Sequence, residues 1–149
     1  MSRIAKPIAL AAFAVTLAGG LSACSSTPSA PVSEPVVLEN TTWMLPLTEK
    51  SDCDTPPVIE FLPGNRLAGD LGCNRAMGSF QFDGTNILFD KVAATKRMCG
   101  PTFMKLENEM LRILSEARTV RRTDKGLELY DGNGKLLNTL VPEEAGACY

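Results

Sequence analysis

The chain has no histidine among its 149 residues. That absence alone removes several kinds of chemistry. A Ser–His or Cys–His relay cannot be assembled, and a zinc site would lack its usual nitrogen ligands. Aromatic residues are only 6% of the chain. There is no basic block and no interleaving of aromatic with basic residues, which excludes nucleic acid as the expected partner. The glycines are spaced as turn residues, so no phosphate-cradling loop is present. No run approaches the roughly 20 apolar residues that a transmembrane helix needs. Taken together, these absences predict a protein that is not an enzyme and carries no metal or cofactor.

What is present begins at the amino terminus. Arg3 and Lys6 precede an apolar run from Ile8 to Leu17, broken by Gly19-Gly20 and followed by Leu21-Ser22-Ala23-Cys24. A basic segment, a short apolar core and small residues before the cut are the parts of a secretory signal. Small residues directly before a Cys are what a lipoprotein signal peptidase cleaves. Residues 1–23 are therefore expected to be a lipoprotein signal peptide, with Cys24 lipidated as the first mature residue. An ordinary signal cut after Ala23 would leave a soluble product, but such a signal needs no Cys at that place.

Removing Arg3 and Lys6 with the leader takes the 15 basic residues to 13 against 17 acidic ones, and the formal charge from −2 to −4. After Cys24, Ser25 to Leu38 contain three prolines and four serines and offer little to pack. Residues 24–39 read as a tether spanning roughly 20 Å. Two or more acyl chains anchor stably where one does not, so a fully acylated Cys24 is expected to fix the protein to a membrane. The folded domain is expected over residues 40–141, with a tail at 142–149. A domain of roughly 100 residues can build one modest core and gains from covalent staples.

The domain reads as strand-rich with one helix. Strands are expected at Trp43–Leu45, Val58–Phe61, Arg66–Gly69, Met77–Phe82, Ile87–Phe89, Val92–Thr95, Thr119–Arg122, Leu127–Tyr130 and Leu136–Val141. Leu62-Pro63-Gly64-Asn65, Asp83-Gly84, Asp124-Lys125-Gly126 and Asp131-Gly132-Asn133-Gly134 supply turns between them. Short strands separated by such turns indicate an antiparallel meander. From Thr102 to Ala117, Phe103, Leu106, Met110, Ile113, Leu114 and Ala117 recur at helical spacing as one apolar stripe. Pro101 suits the first turn of that helix. Glu107 and Glu109 are expected off the stripe or on its margins. Two apart on a helix, they do not form an acid–base pair. Arg121-Arg122 reads as a solvated strand edge.

With Cys24 assigned to lipid, Cys53, Cys73, Cys99 and Cys148 remain, an even set in an oxidising compartment, so two disulfides are expected. Spacing leaves all three pairings open. There is no Cys-x-x-Cys, and the gaps are too irregular for a metal site. Each bridge stabilises by roughly 3–4 kcal/mol on the loop-entropy model.

Two segments resemble a known family. Gly69-Asp70-Leu71-Gly72-Cys73-Asn74-Arg75-Ala76-Met77-Gly78 resembles the G-x-x-G-C-N-R-x-x-G core of META/HslJ-like domains. Thr95-Lys96-Arg97-Met98-Cys99-Gly100-Pro101 resembles their second hallmark, T-x-M-x-C before a Pro-containing helix start. Trp43, Ile59-Glu60-Phe61, Glu107 and Leu127-Glu128-Leu129 follow in matching order. Ala76 stands where the family often has an aromatic, and Arg97 where Met is frequent. The motif residues are thus Gly72, Cys73, Asn74, Arg75, Thr95 and Cys99.

The resemblance implies a mainly β fold of the α+β class: a strongly curved antiparallel sheet or partial barrel packing one helix. It implies a bacterial envelope protein without accepted catalytic activity, associated with heat shock and antibiotic tolerance. It also implies that Cys73 pairs with Cys99, leaving Cys53 for Cys148. Asn74 reads first as a residue that satisfies backbone groups in a turn, and Asn74-Arg75 is the sharpest candidate binding site. Thr95 reads as a strand or turn hydroxyl.

The expected function is a non-enzymatic lipoprotein anchored in the outer membrane and facing the periplasm, acting in stress or antibiotic tolerance through an envelope protein partner. Two alternatives stand beside it. One is a barrel binding a small apolar ligand, which requires an empty interior lined by Phe61, Phe80, Phe82 and Phe89. The other is an inhibitor of an external hydrolase such as lysozyme, for which Glu49, Asp52 and Asp54 in the segment Thr48–Thr55 would supply the contact.

Overall fold

A computed structural model describes residues 35–47 and 55–143. The tight turns between apolar runs fold the chain back repeatedly, giving β1 (Thr41–Met44), β2 (Val58–Leu62), β3 (Arg66–Asp70), β4 (Arg75–Phe82) and β5 (Ile87–Ala94). One helix, α1 (Pro101–Glu116), follows, and then β6 (Thr119–Thr123), β7 (Gly126–Tyr130) and β8 (Leu136–Pro142). All pairings are antiparallel, and the strand order is β5-β4-β3-β2-β1-β8-β7-β6. The long-range step is β1 with β8, where Trp43 faces Pro142 and Met44 faces Val141.

The sheet curves until its two edge strands meet at one end. The Ile87 N–H donates to the Arg118 carbonyl at 2.9 Å, and the Val120 N–H to the Thr85 carbonyl at 2.9 Å. Helix α1 connects these same two edges. Its face of Met110, Ile113 and Leu114 enters one core with Trp43, Ile59, Phe61, Leu127, Leu129 and Leu140. The Phe61 and Phe80 rings meet edge-on with centroids 4.9 Å apart, and Phe89 lies 6.1 Å from Phe61. Each large side chain buried in this way stabilises the fold by about 1.5–3 kcal/mol. Leu38 is also buried in the core, and Val36 packs against it.

Several elements differ from the sequence expectation, β1 among them, which runs from Thr41 to Met44 rather than from Trp43 to Leu45. Ile87–Phe89 and Val92–Ala94 are not separate strands but parts of the single strand β5, and Thr95 falls just beyond its end. Lys91 and Val92 together oppose Gly78, because the register passes from Met77–Ala93 to Ser79–Asp90. This is a β-bulge, and Lys91 adopts φ 53° there. The extra residue shifts the inward-facing positions from Ile87 and Phe89 to Val92 and Ala94, which breaks the two-residue period a strand is read from. Strand β4 also starts two residues earlier than expected, at Arg75. Arg121 and Arg122 each lie over an aromatic ring, Arg121 5.1 Å from the centroid of Tyr130 and Arg122 4.8 Å from that of Trp43.

Candidate functional site

The motif residues meet where β3 passes to β4. Gly72 turns the chain with φ +88°, a conformation that L side chains rarely adopt, and a Cβ there would stand 2.9 Å from the Thr55 carbonyl oxygen. The Asp70 carboxylate accepts the Gly72 N–H at 3.0 Å, and the Asn74 carbonyl accepts the Leu71 N–H at 2.7 Å. This tight loop delivers Cys73 and Asn74 inward and Arg75 outward.

Asn74 is 1% exposed and is the hub of the site. Its side-chain NH2 donates to the Arg97 carbonyl at 3.0 Å and to both Glu107 carboxylate oxygens at 2.8 and 3.1 Å. Its side-chain carbonyl accepts the Thr95 hydroxyl at 2.8 Å and the Arg97 N–H at 2.7 Å. Thr95 in turn accepts the Arg75 N–H at 3.1 Å. Cys73 and Cys99 are joined by a disulfide with Cα atoms 6.0 Å apart, and the Arg97 guanidinium donates to the Cys73 carbonyl at 3.1 Å. One amide therefore ties together the β3–β4 loop, the segment after β5 and helix α1, and the disulfide joins the first two of these covalently.

Glu107 corrects the sequence expectation. It does not lie off the apolar stripe but is 5% exposed and points at Asn74. The signal was present in the spacing. Glu107 is four residues after Phe103, three before Met110 and seven before Leu114, which places it on the buried face. A carboxyl group is tolerated there because the Asn74 amide meets it, as a buried polar group requires a hydrogen-bonding partner.

Both side-chain polar atoms of Asn74 are engaged inside the cluster, and among the described residues no buried side-chain nitrogen or oxygen lacks a partner. The buried side chains of the cluster thus satisfy one another and nearby backbone groups. Arg75 is not among them. Its side chain is 83% exposed, and its nearest acidic contact is Asp70 at 4.0 Å. Among the described residues no group of three or more Cys, Asp or Glu is placed to hold a metal. Cys24, Cys53 and Cys148, and the carboxylates Glu49, Asp52 and Asp54, lie outside the described residues.

A curved eight-stranded meander with one packed helix, clasped at an internal disulfide and a buried Asn–Glu pair, defines a small single-helix β-barrel-like class of protein. The chain matches the META domain family model over residues 36–144, and it belongs to that family. It is similar to a solution NMR structure of a protein from Burkholderia xenovorans, with 21% identity and a TM-score of 0.58, covering 78% of this chain and 99% of that one. A second NMR structure is 24% identical with a TM-score of 0.52, covering 66% and 87% of the two chains. These likenesses concern the fold. No curated protein matches the chain significantly.

Proposed function

We propose that this META-domain protein is a non-enzymatic, lipid-anchored component of the bacterial envelope that supports tolerance of envelope stress or antibiotics by contacting another protein. The observation that carries this reading is the self-contained motif cluster. Asn74, Thr95 and Glu107 are bonded to one another and to backbone, so the motif serves to shape a surface rather than to act on a substrate. The Leu21-Ser22-Ala23-Cys24 box supports the anchor. The mutual packing of Phe61, Phe80 and Phe89 supports a filled interior over a ligand cavity.

The test is a deletion strain challenged with envelope-directed antibiotics and complemented with wild-type protein or Cys24→Ala. Sensitisation of the deletion, with tolerance restored by wild type but only weakly by Cys24→Ala, is the expected result, together with accumulation of precursor under globomycin. Normal maturation under globomycin would remove the anchor, and unchanged antibiotic tolerance of the deletion would remove the role.

A further inference from the structure

The clasp holds an exposed face of a different character from the rest of the chain. The mature protein is acidic, yet from Lys91 to Leu106 there are four cations, Lys91, Lys96, Arg97 and Lys105, and no Asp or Glu. The clasp brings part of this run beside β4. The Thr95 N–H donates to the Arg75 carbonyl at 3.0 Å, and Arg97 reaches the Cys73 carbonyl. Arg75, Lys96 and Arg97 thus share one exposed corner. Two large apolar side chains flank it: Met77, on the same outer face of β4 as Arg75, is 70% exposed, and Met98 is 91% exposed. Exposed, flexible thioethers suit a surface that adapts to a partner, and the cations select partners of opposite charge.

The corner also lies away from where the chain joins the sheet. The Asn40 N–H donates to the Phe61 carbonyl, and the Gly64 N–H to Glu39, so the chain enters beside the β2–β3 turn. That turn is at the Arg66 end of β3, whereas Arg75 pairs with Asp70 at the other end, about 13 Å along the strand. A partner on the corner would leave the side nearer the tether free.

We infer that Arg75, Met77, Lys96, Arg97 and Met98 form a docking surface for a protein segment in which carboxylates flank an apolar contact. This inference rests on the proposed partner-binding role and names its surface. Asp70 lies at the margin of the corner and limits its charge, and the two methionines supply the contact that charge alone would not.

The test uses the mature chain with Cys24→Ser, isotope-labelled and titrated by NMR. The probes are an amphipathic peptide of glutamate and leucine, a lysine and leucine peptide of the same pattern, and phosphatidylglycerol vesicles. The glutamate peptide is expected to shift the amides of Arg75, Met77, Lys96 and Met98, and to bind more weakly as salt rises. Arg75→Glu with Lys96→Glu should lose roughly tenfold in affinity, Met98→Ser should also weaken binding, and Arg66→Glu at the opposite end should not. Absent shifts, shifts centred elsewhere, equal binding of the lysine peptide, or a response to vesicles alone would each overturn the inference. Because the tested chain carries no lipid, failure here is distinct from failure of the anchor, which the globomycin experiment reads.

Discussion

The Asn74 amide donates to both carboxylate oxygens of Glu107, 33 residues away in sequence, and both residues are buried. This pair ties the first family hallmark to helix α1, while the bonds of Asn74 to Thr95 and Arg97 and the Cys73–Cys99 disulfide tie it to the second. Asn74→Ala would leave a buried carboxylate without its donor and should destabilise the domain by roughly 3 kcal/mol. Asn74→Asp should cost more, since it sets two carboxylates against each other. Glu107→Gln should cost less than either, because its amide oxygen can still accept from Asn74. Urea unfolding of the three variants checks this order.

The disulfide spans a sequence separation of 26 residues. On the loop-entropy model its removal costs about 3.5 kcal/mol. The hydrogen bonds of Asn74 to Thr95 and Arg97 hold the same two segments independently. The Cys73→Ala, Cys99→Ala protein should therefore keep a native, well-dispersed NMR spectrum while its urea midpoint falls. Loss of dispersion would show that the bridge, not the amide, organises the site.

Gly126 begins β7 at φ +138°, and a Cβ there would be driven into the Leu140 carbonyl oxygen of β8. Gly126→Ala should destabilise by about 2–3 kcal/mol through backbone strain and disturbed β7–β8 pairing. Thermal unfolding measures it, and a change within about 0.5 kcal/mol would contradict the close approach.

Two turns carry an acid-sensitive component. The Asp131 carboxylate accepts the N–H groups of Lys135 and Asn133, and Asp83 accepts from Asn86 and Thr85, which holds both carboxyls below the ordinary aspartate value of 3.8. A depressed native value means that the stabilisation is fully present above the ordinary value and is lost as pH falls through the lower native one. A carboxyl-carbon NMR titration should place the Asp131 midpoint below 3.8. Asp131→Asn should remove part of the acid-side loss of stability.

Much of this fold is legible in the sequence where the signals are local. Pro63-Gly64, Asp83-Gly84 and the Asp131 turn each mark a reversal, and the Phe103–Leu114 stripe marks the helix. The signals fail where distant segments decide the structure. Strand β5 looks like two strands because the Lys91–Val92 bulge interrupts alternation, and only pairing with Gly78 makes it one. Nothing local foretells that Thr85 and Ile87 meet Arg118 and Val120 to join the sheet's edges. Leu38 stands at the end of a Ser/Pro-rich tract, and its composition gives no sign that it packs in the core. Within the site, the Cys, Asn and Thr positions were visible through the family resemblance. The pairing of Glu107 with Asn74 is not legible in the same way, because its charge argues for the solvent side of the helix while its spacing from Phe103, Met110 and Leu114 places it on the buried face.

The most direct test of the clasp is a double-mutant cycle on Asn74→Ala and Glu107→Ala, read by urea unfolding. A coupling energy of about 2 kcal/mol is expected, within the range for contacting buried partners. Costs that simply add, within about 0.3 kcal/mol, would mean that the pair is incidental and that the motif serves something other than holding the fold.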